Sequence, residues 1–406
     1  MSVEASTTTS LWSSLVQARG RRLEAGGWWR APVTFDGRGP EGLLTEDGRK
    51  VVTFASDDYL GLSRHPAVVA AAHEAIDRWG TGSGGSRLVT GSRPVHEELE
   101  HALATWTGTE RAAVFPTGYA ANLGVLSAFG DSGVRICSDE HNHASIIDGG
   151  RLSHAEVAVY RHRDLEHLED LLSEATGPAL VVTDVVFPMN GDVAPVKDIA
   201  AACRRHGALL VLDEGRAVVG PDVGTDLSTD LADVDLLRVG TLSKTLGSLG
   251  GFVAGRRAFI DLLVHRASSY VFTTAPTPPD CAAALAALRL LSTPEGERLR
   301  TRLANHIEHV APGHPSQIIP IVLGDDEQVL AASSALQEHG VWVPAVRPRT
   351  GTARLRVTLS AAHNSEHITL LLDALASVPS SPDTLSEDVS FPGPGPIPSA
   401  VPGRTS

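Results

Sequence analysis

The sequence predicts an α/β fold: a large domain built on a mostly parallel, doubly wound sheet, followed by a smaller α+β C-terminal domain. Three observations carry that expectation. Short apolar segments alternate with helical ones through the middle of the chain. Those segments are continuous apolar runs rather than alternating ones, as a sheet covered on both faces requires. From about Glu295 the texture changes to a short mixture of helices and strands.

After a polar, small-residue leader (Met1–Ser10), Leu11–Ala25 reads as an amphipathic helix. Pro66–Trp79 and Pro94–Trp106 are helices whose opening proline suits a first turn. Strands are expected at Ala112–Phe115, Val134–Ser138, Ala155–Val159, Ala179–Val182, Ala208–Leu212 and Leu236–Val239. Asn122–Phe129, Ala144–Arg151, Asp164–Ser173 and Val196–His206 fill the helical slots between them. That alternation implies parallel strands joined by crossovers. Gly250–Gly255 reads as one more strand and Thr277–Leu291 as a long helix. Beyond Glu295 come a helix, the Ile318–Leu323 strand, the Asp326–His339 helix, strands Val341–Val346 and Arg354–Leu359, and the Ser365–Ser377 helix. The expected division is an N-terminal segment with a helix (residues 1–50), a large domain (51–292), a small domain (293–378) and a tail (379–406). The tail, dominated by Pro, Ser and Gly, cannot bury a core and is expected to be disordered.

At 406 residues and a net charge of −14, the chain has no basic block to offset its acidic excess, which argues against a nucleic-acid partner. No apolar run approaches a membrane span, and the leader lacks the regions of a secretory signal, so a cytoplasmic protein is expected. Cys137, Cys203 and Cys281 fit neither a disulfide framework nor a zinc-ligand spacing, and reduced thiols are the default. His141 and His143 have no second ligand cluster near them in sequence, so no metal site is expected.

Only three residues are lysines, Lys50, Lys197 and Lys244, among 34 basic side chains. Lys244 follows the exit of the Leu236–Val239 strand, where an amine can form an imine and a guanidinium cannot. Ligands of open α/β sheets collect at strand carboxyl ends. There too lie Thr117-Gly118-Tyr119, whose amides and helix start could hold a phosphate, then His143, and Asp213. Phosphate cradle, imidazole, carboxylate and lysine together are what pyridoxal 5′-phosphate (PLP) needs.

With these residues in order, the chain resembles the α-oxoamine synthases, PLP enzymes of the fold-type I aminotransferase class. The markers are Ser56–Leu62, Gly82–Arg87, Thr117–Asn122, Asn142–Ile146, Asp213-Glu214, Thr241–Lys244 and Arg354–Thr358, and the likeness spans Phe54 to Leu375. Gly351–Arg356 and Ser83–Gly91 look most like the biotin-pathway subgroup, the 8-amino-7-oxononanoate synthases. The resemblance implies that Lys244 holds the cofactor as an imine and then removes the α-proton of an amino acid. It also implies that Asp213 pairs with the pyridinium nitrogen and that His143 stacks on the ring. Thr117, Gly118, Tyr119 and Thr241 would bind the phosphate, joined by Thr273 and Thr274 from the partner of a homodimer with shared active sites. Arg356 would bind the amino-acid carboxylate. The implied reaction is a decarboxylative condensation of an amino acid, L-alanine in that subgroup, with an acyl thioester, pimeloyl in that subgroup. The thioester's carrier is coenzyme A or an acyl-carrier protein.

Three positions depart from the family pattern. Arg216 stands where a histidine usually donates to the cofactor's phenolic oxygen, Pro188 replaces a serine, and Asp57 replaces an asparagine near the substrate carboxylate. Arg216 is expected to keep a positive donor at that oxygen, and Asp57 to pair with Arg216 or to shift the choice of amino acid. Two other readings accompany the leading one: a secondary-pathway synthase with another amino acid or acyl donor, and a non-catalytic paralogue that binds PLP.

Overall fold

The computed structural model describes residues 10–29, 31–217, 231, 233–347 and 352–378. The expected disordered tail, and all of the leader except Ser10, lie outside the described residues. A meander of β1 (Phe35–Gly37), β2 (Glu41–Leu44) and β3 (Arg49–Thr53) follows the first helix. The sequence reading missed it, because strands this short do not develop an alternation that can be read.

The central sheet has seven strands: β4 (Arg111–Phe115), β5 (Arg135–Asp139), β6 (Glu156–Tyr160), β7 (Ala179–Asp184), β8 (Leu209–Asp213), β9 (Leu236–Thr241) and β10 (Gly251–Gly255). Their order is β4-β10-β9-β8-β7-β5-β6, with only β10 antiparallel to its neighbours. The mostly parallel sheet expected from the sequence is therefore present, its strand ends displaced by one or two residues. The inner strands β7 and β8 are buried along nearly their whole length, which is why they read as unbroken apolar runs. Edge strand β6 is largely exposed. The chain passes from β5 outward to β6 and returns to β7 on the other side of β5, which makes the β5/β7 boundary a topological switch point.

The helix predicted at Asn122–Phe129 begins four residues earlier and spans Gly118–Phe129. Thr117 caps it, its hydroxyl accepting the Ala120 N–H at 3.0 Å. The predicted strand Val341–Val346 is two: β12 (Val341–Trp342) and β13 (Ala345–Val346). Pro344 lies between them and has no N–H to continue a ladder. β12 runs parallel to β3, so the N-terminal meander and a C-terminal strand share a four-stranded sheet. β13 instead pairs with β14 (Ala353–Thr358), which pairs with β11 (Ile318–Gly324) in a three-stranded sheet.

Long-range hydrogen bonds then bring the segment after β3 to β14. Thr358 N–H donates to Phe54 O at 2.8 Å, and Ala361 N–H to Tyr59 O at 2.8 Å. These place Asp57 beside Arg356. All three cysteines are buried and unpaired. No helix among the described residues is long and apolar enough to cross a membrane.

Gly247 closes the turn after Lys244, its N–H donating to Lys244 O at 2.9 Å. Its φ is +59°, and a Cβ there would lie 2.2 Å from Ser63 N. Gly247→Ala should therefore destabilise the protein by about 2–4 kcal/mol through backbone strain and overlap. Urea unfolding reads this; a loss under about 0.5 kcal/mol would contradict the close approach.

Candidate active site

The candidate site forms at the carboxyl ends of β5, β7, β8 and β9. Strands β7 and β8 pair in register, Asp184 opposite Asp213, so two carboxylates emerge side by side. Asp213 accepts Asn122 Nδ2 at 2.6 Å on Oδ2 and the Gly215 N–H at 2.8 Å on Oδ1, donors that suit a charged acceptor. A carbon added at Gly215 would sit 3.0 Å from Asp213 Oδ1 and 3.2 Å from Lys244 Nζ. Carboxylate and amine thus flank one small space. Burial, reinforced by the Arg216 guanidinium, pulls the Lys244 amine down to about 8.

His143 caps the Ala144–Leu152 helix at the exit of β5. Its Nδ1 lies 2.7 Å from Ser145 Oγ, and its backbone N–H donates to Asp184 Oδ2 at 2.6 Å. Burial, followed by Arg216, holds the imidazole below its ordinary range. Asp184 is 1 % exposed, and burial together with neighbouring Asp213 pushes its carboxyl up to about 8.

The Thr117-Gly118-Tyr119 turn abuts β9 and β10. A Cβ on Gly118 would meet Thr241 Cβ at 3.2 Å, and one on Gly251 would meet the Thr117 carbonyl at 2.4 Å. The first turn of the Gly118–Phe129 helix and the Thr241 and Ser243 hydroxyls, 2.7 Å apart, therefore share one corner. Tyr119 points its exposed ring outward; its hydroxyl donates to Asp148, and the ring meets His143 edge-on at 6.5 Å. Thr273 and Thr274 follow the Ser268–Val271 helix. Among the described residues no hydrogen bond joins either threonine to the Lys244 cluster.

Arg216, only 9 % exposed, sits among Asp57, Asp184 and Asp213, its Nη1 3.9 Å from Asp184 Oδ1. Its buried Nε has no partner among the described residues. Arg356 Nε donates to Pro188 O at 2.8 Å, and its Nη2 lies 3.4 Å from Asp57 Oδ1. Asp57 also accepts the Tyr59 hydroxyl at 3.2 Å. Burial would raise the Asp57 carboxyl, but Arg356, Arg216 and Lys244 outweigh it and hold it below the usual range.

Lys244, Asp213, His143, Arg216, Asp57 and Arg356 are thus brought together, while Thr273 and Thr274 are not. The expected pairing of Asp57 is made in direct contact with Arg356 rather than with Arg216. Sequence reasoning gave no role to Asn122, Ser145 or Asp184. Asn122 stood in the quoted Thr117–Asn122 marker, and Asp184 at the end of an apolar run was a signal that could have been read.

These residues fit PLP on their own chemistry. An amine of lowered pKa faces a carboxylate bearing two N–H donors. A helix N-terminus with two hydroxyls lies at one end, and a buried guanidinium keeps an unpartnered Nε beside them.

The profile of the family described as aminotransferase class I and II matches residues 49–375. The 8-amino-7-oxononanoate synthase of Alkalilimnicola ehrlichii is 46% identical over 375 residues, covering 88% of this chain and 95% of its own. That of Anaeromyxobacter dehalogenans is 46% identical over 351 residues, 82% and 87% of the two chains. Among solved structures, a serine palmitoyltransferase variant from S. paucimobilis with a bound PLP–myriocin aldimine superposes with a TM-score of 0.82 at 29% identity, covering 91% of this chain and 98% of that one. The chain therefore belongs to the aminotransferase class I and II family, with the PLP-dependent fold type I architecture, and is a PLP-dependent acyltransferase of the α-oxoamine synthase group.

Proposed function

We propose that the protein condenses an amino acid, L-alanine in the leading reading, with a pimeloyl-type acyl thioester, releasing carbon dioxide and a free thiol and leaving an α-aminoketone. The observation that carries this reading is the single cluster in which Lys244, Asp213, His143 and Arg356 meet. The acyl carrier is coenzyme A or a carrier protein, and the active form is a homodimer in which the partner's copy of the Thr273-Thr274 segment completes the phosphate corner.

Lys244 would hold PLP covalently, Asp213 would face its ring nitrogen, and His143 would lie against the ring. The Thr117–Tyr119 turn and Thr241 would take the phosphate, and Arg216 Nε would reach the phenolic oxygen. Bound PLP supplies an electron sink for the carbanion formed at the amino acid's α-carbon. Arg356 binds the amino-acid carboxylate as a fork, and in doing so exchanges Asp57 for the substrate. Lys244 Nζ, poised near neutrality, takes the α-proton. The α-carbon then bonds to the thioester carbonyl carbon, the C–S bond breaks and the thiol leaves. Loss of the carboxylate as carbon dioxide and return of a proton to that carbon give the product.

A second reading has a specific observation behind it. Asp57 places a carboxylate against the arginine that would take the substrate's own, and Pro188 meets that arginine with a carbonyl. Both favour an amino acid or acyl donor other than alanine and pimeloyl thioester. Release of free thiol with matched panels of amino acids and acyl thioesters separates the two.

Lys244→Ala should abolish the covalently held chromophore; a variant that still resists dialysis against PLP-free buffer and keeps the colour would end the assignment. In the cofactor-free chain, uptake of PLP should accelerate as pH rises through about 8, because the lowered Lys244 amine becomes the neutral nucleophile above that point. A stopped-flow rate flat between pH 7 and 9 would contradict it. Arg356→Ala should weaken amino-acid binding by about 10–100-fold while the cofactor's absorbance persists. Asp57→Asn should tighten it, and a weaker affinity in that variant would show that Asp57 helps to bind substrate instead of competing with it.

A further inference from the structure

We propose that His162 is a positioning residue: as an imidazolium held between two carboxylates, it ties the turn that carries His143 to the hairpin that holds Arg356. The proposal rests on the reading of Arg356 as the amino-acid carboxylate site.

His162 Nδ1 lies 2.8 Å from Asp139 Oδ1, and its Nε2 lies 2.6 Å from Asp192 Oδ2. Between two ionised carboxylates a neutral ring would turn one lone pair toward an anion, whereas a charged ring donates from both nitrogens. The ring is also clamped by aromatic neighbours. His141 stacks on it at 4.0 Å, and Phe187 meets it edge-on at 4.4 Å.

Each carboxylate belongs to a different part of the site. Asp139 ends β5 and is 3 % exposed. Its Oδ1 also accepts the His141 N–H at 2.8 Å, and its Oδ2 the Arg163 N–H at 2.9 Å. It therefore fixes the turn that leads into His143. Arg163 makes its contact from φ 57°, an uncommon conformation for a residue with a side chain.

Asp192 belongs to the hairpin beyond β7. Phe187 N–H donates to Asp192 O at 2.9 Å and Gly191 N–H to Phe187 O at 2.9 Å, with Val186 bridged to Val193. On its far side this hairpin is seated against β11. Ser316 Oγ donates to Gly191 O at 2.6 Å, and at φ +71° a Gly191 Cβ would fall 2.0 Å from Ile318 O. Pro188 O, at its tip, receives Arg356 Nε. His162 is thus the cross-strut between the His143 turn and the seat of Arg356.

The groups facing His162 are Asp139 and His141 from the β5 exit and Asp192 from the hairpin. Glu140, also at the β5 exit, accepts the His162 backbone N–H at 2.8 Å, and on the segment of His162 itself Arg163 Nη1 lies 3.7 Å from Asp192 Oδ2. Burial disfavours the charged ring, but Asp139 and Asp192 outweigh it and raise His162 from 6.5 to about 9. The folded value lies above the ordinary one. The strut is therefore at full strength below about pH 6.5 and fades as pH rises through about 9.

The test uses the PLP-loaded enzyme with ¹⁵N-labelled histidine. Both His162 ring nitrogens should be protonated at pH 7.5 and titrate near pH 9. Asp192→Asn, which keeps the shape and removes one charge, should shift that titration downward. Asp192→Asn and His162→Gln should each raise the amino-acid KM by about tenfold with kcat within about twofold, a split that a general loss of structure would not give. The wild type should lose amino-acid affinity as pH rises through about 9, and His162→Gln should lack that step. A neutral His162 at pH 7.5, or an unmoved KM in both variants, overturns the proposal. Arg356→Ala run alongside separates the two readings. If it leaves KM unmoved the carboxylate assignment fails, whereas a neutral His162 at pH 7.5 ends the strut whatever Arg356 does.

Discussion

Two carboxylates, Asp184 and Asp213, close neighbouring parallel strands in register, and the surrounding side chains make that juxtaposition tolerable. Like charges this close and this buried cannot both be solvated by the protein at low cost. The structure answers by differentiating them. Asp184, with burial and its neighbour against it, is pushed up to about 8, while Asp213 collects the Asn122 and Gly215 donors. One carboxyl is thereby inclined to keep its proton, and the other is furnished as a charged acceptor opposite Lys244. Burial and the Arg216 guanidinium lower Lys244 and His143, and Asp213 opposes both shifts, so the pair limits how far the amine and the imidazole fall.

Arg216 and Asp57 belong to this balance. Where the resemblance implies a histidine and an asparagine, this chain has a cation and an anion. Arg216 is nearly buried, and its charge is held by Tyr59, Asp184, Asp57 and Asp213 against the cost of burial. Asp57 in turn engages Arg356, a residue 299 positions away. Neither substitution is isolated: each added charge meets the field of the other, and the site keeps a mixed charge set rather than a net excess. The consequence is that Arg356, the arginine proposed to take the amino-acid carboxylate, already meets a carboxylate of its own chain, which would bear directly on which amino acid can displace it.

Much of the fold was legible in the sequence. The apolar runs that became β7 and β8 could be read because burial on both faces removes any need for polar alternation. Asp213 and Lys244 could be read because ligands gather where such strands end, so position along the chain translated into position at the sheet edge. Local chemistry also fixed the proline-opened helices, whereas the helix capped by Thr117 was read four residues short at its start.

Tertiary structure alone decided the rest. The split of Val341–Val346 into strands of two sheets, the β1–β3 meander, the Asp57–Arg356 contact, the Asn122–Asp213 bond and the seating of His162 between Asp139 and Asp192 all join residues without a local period between them. A sequence pattern reports which face a residue turns, since that recurs every two or 3.6 residues. It does not report which distant side chain waits there. What this sequence determined by itself was therefore the scaffold and the position of the Lys244 amine at its edge. What the folded chain decided was the charge environment that sets the protonation of that amine, because electrostatic coupling depends on separation in space and on burial.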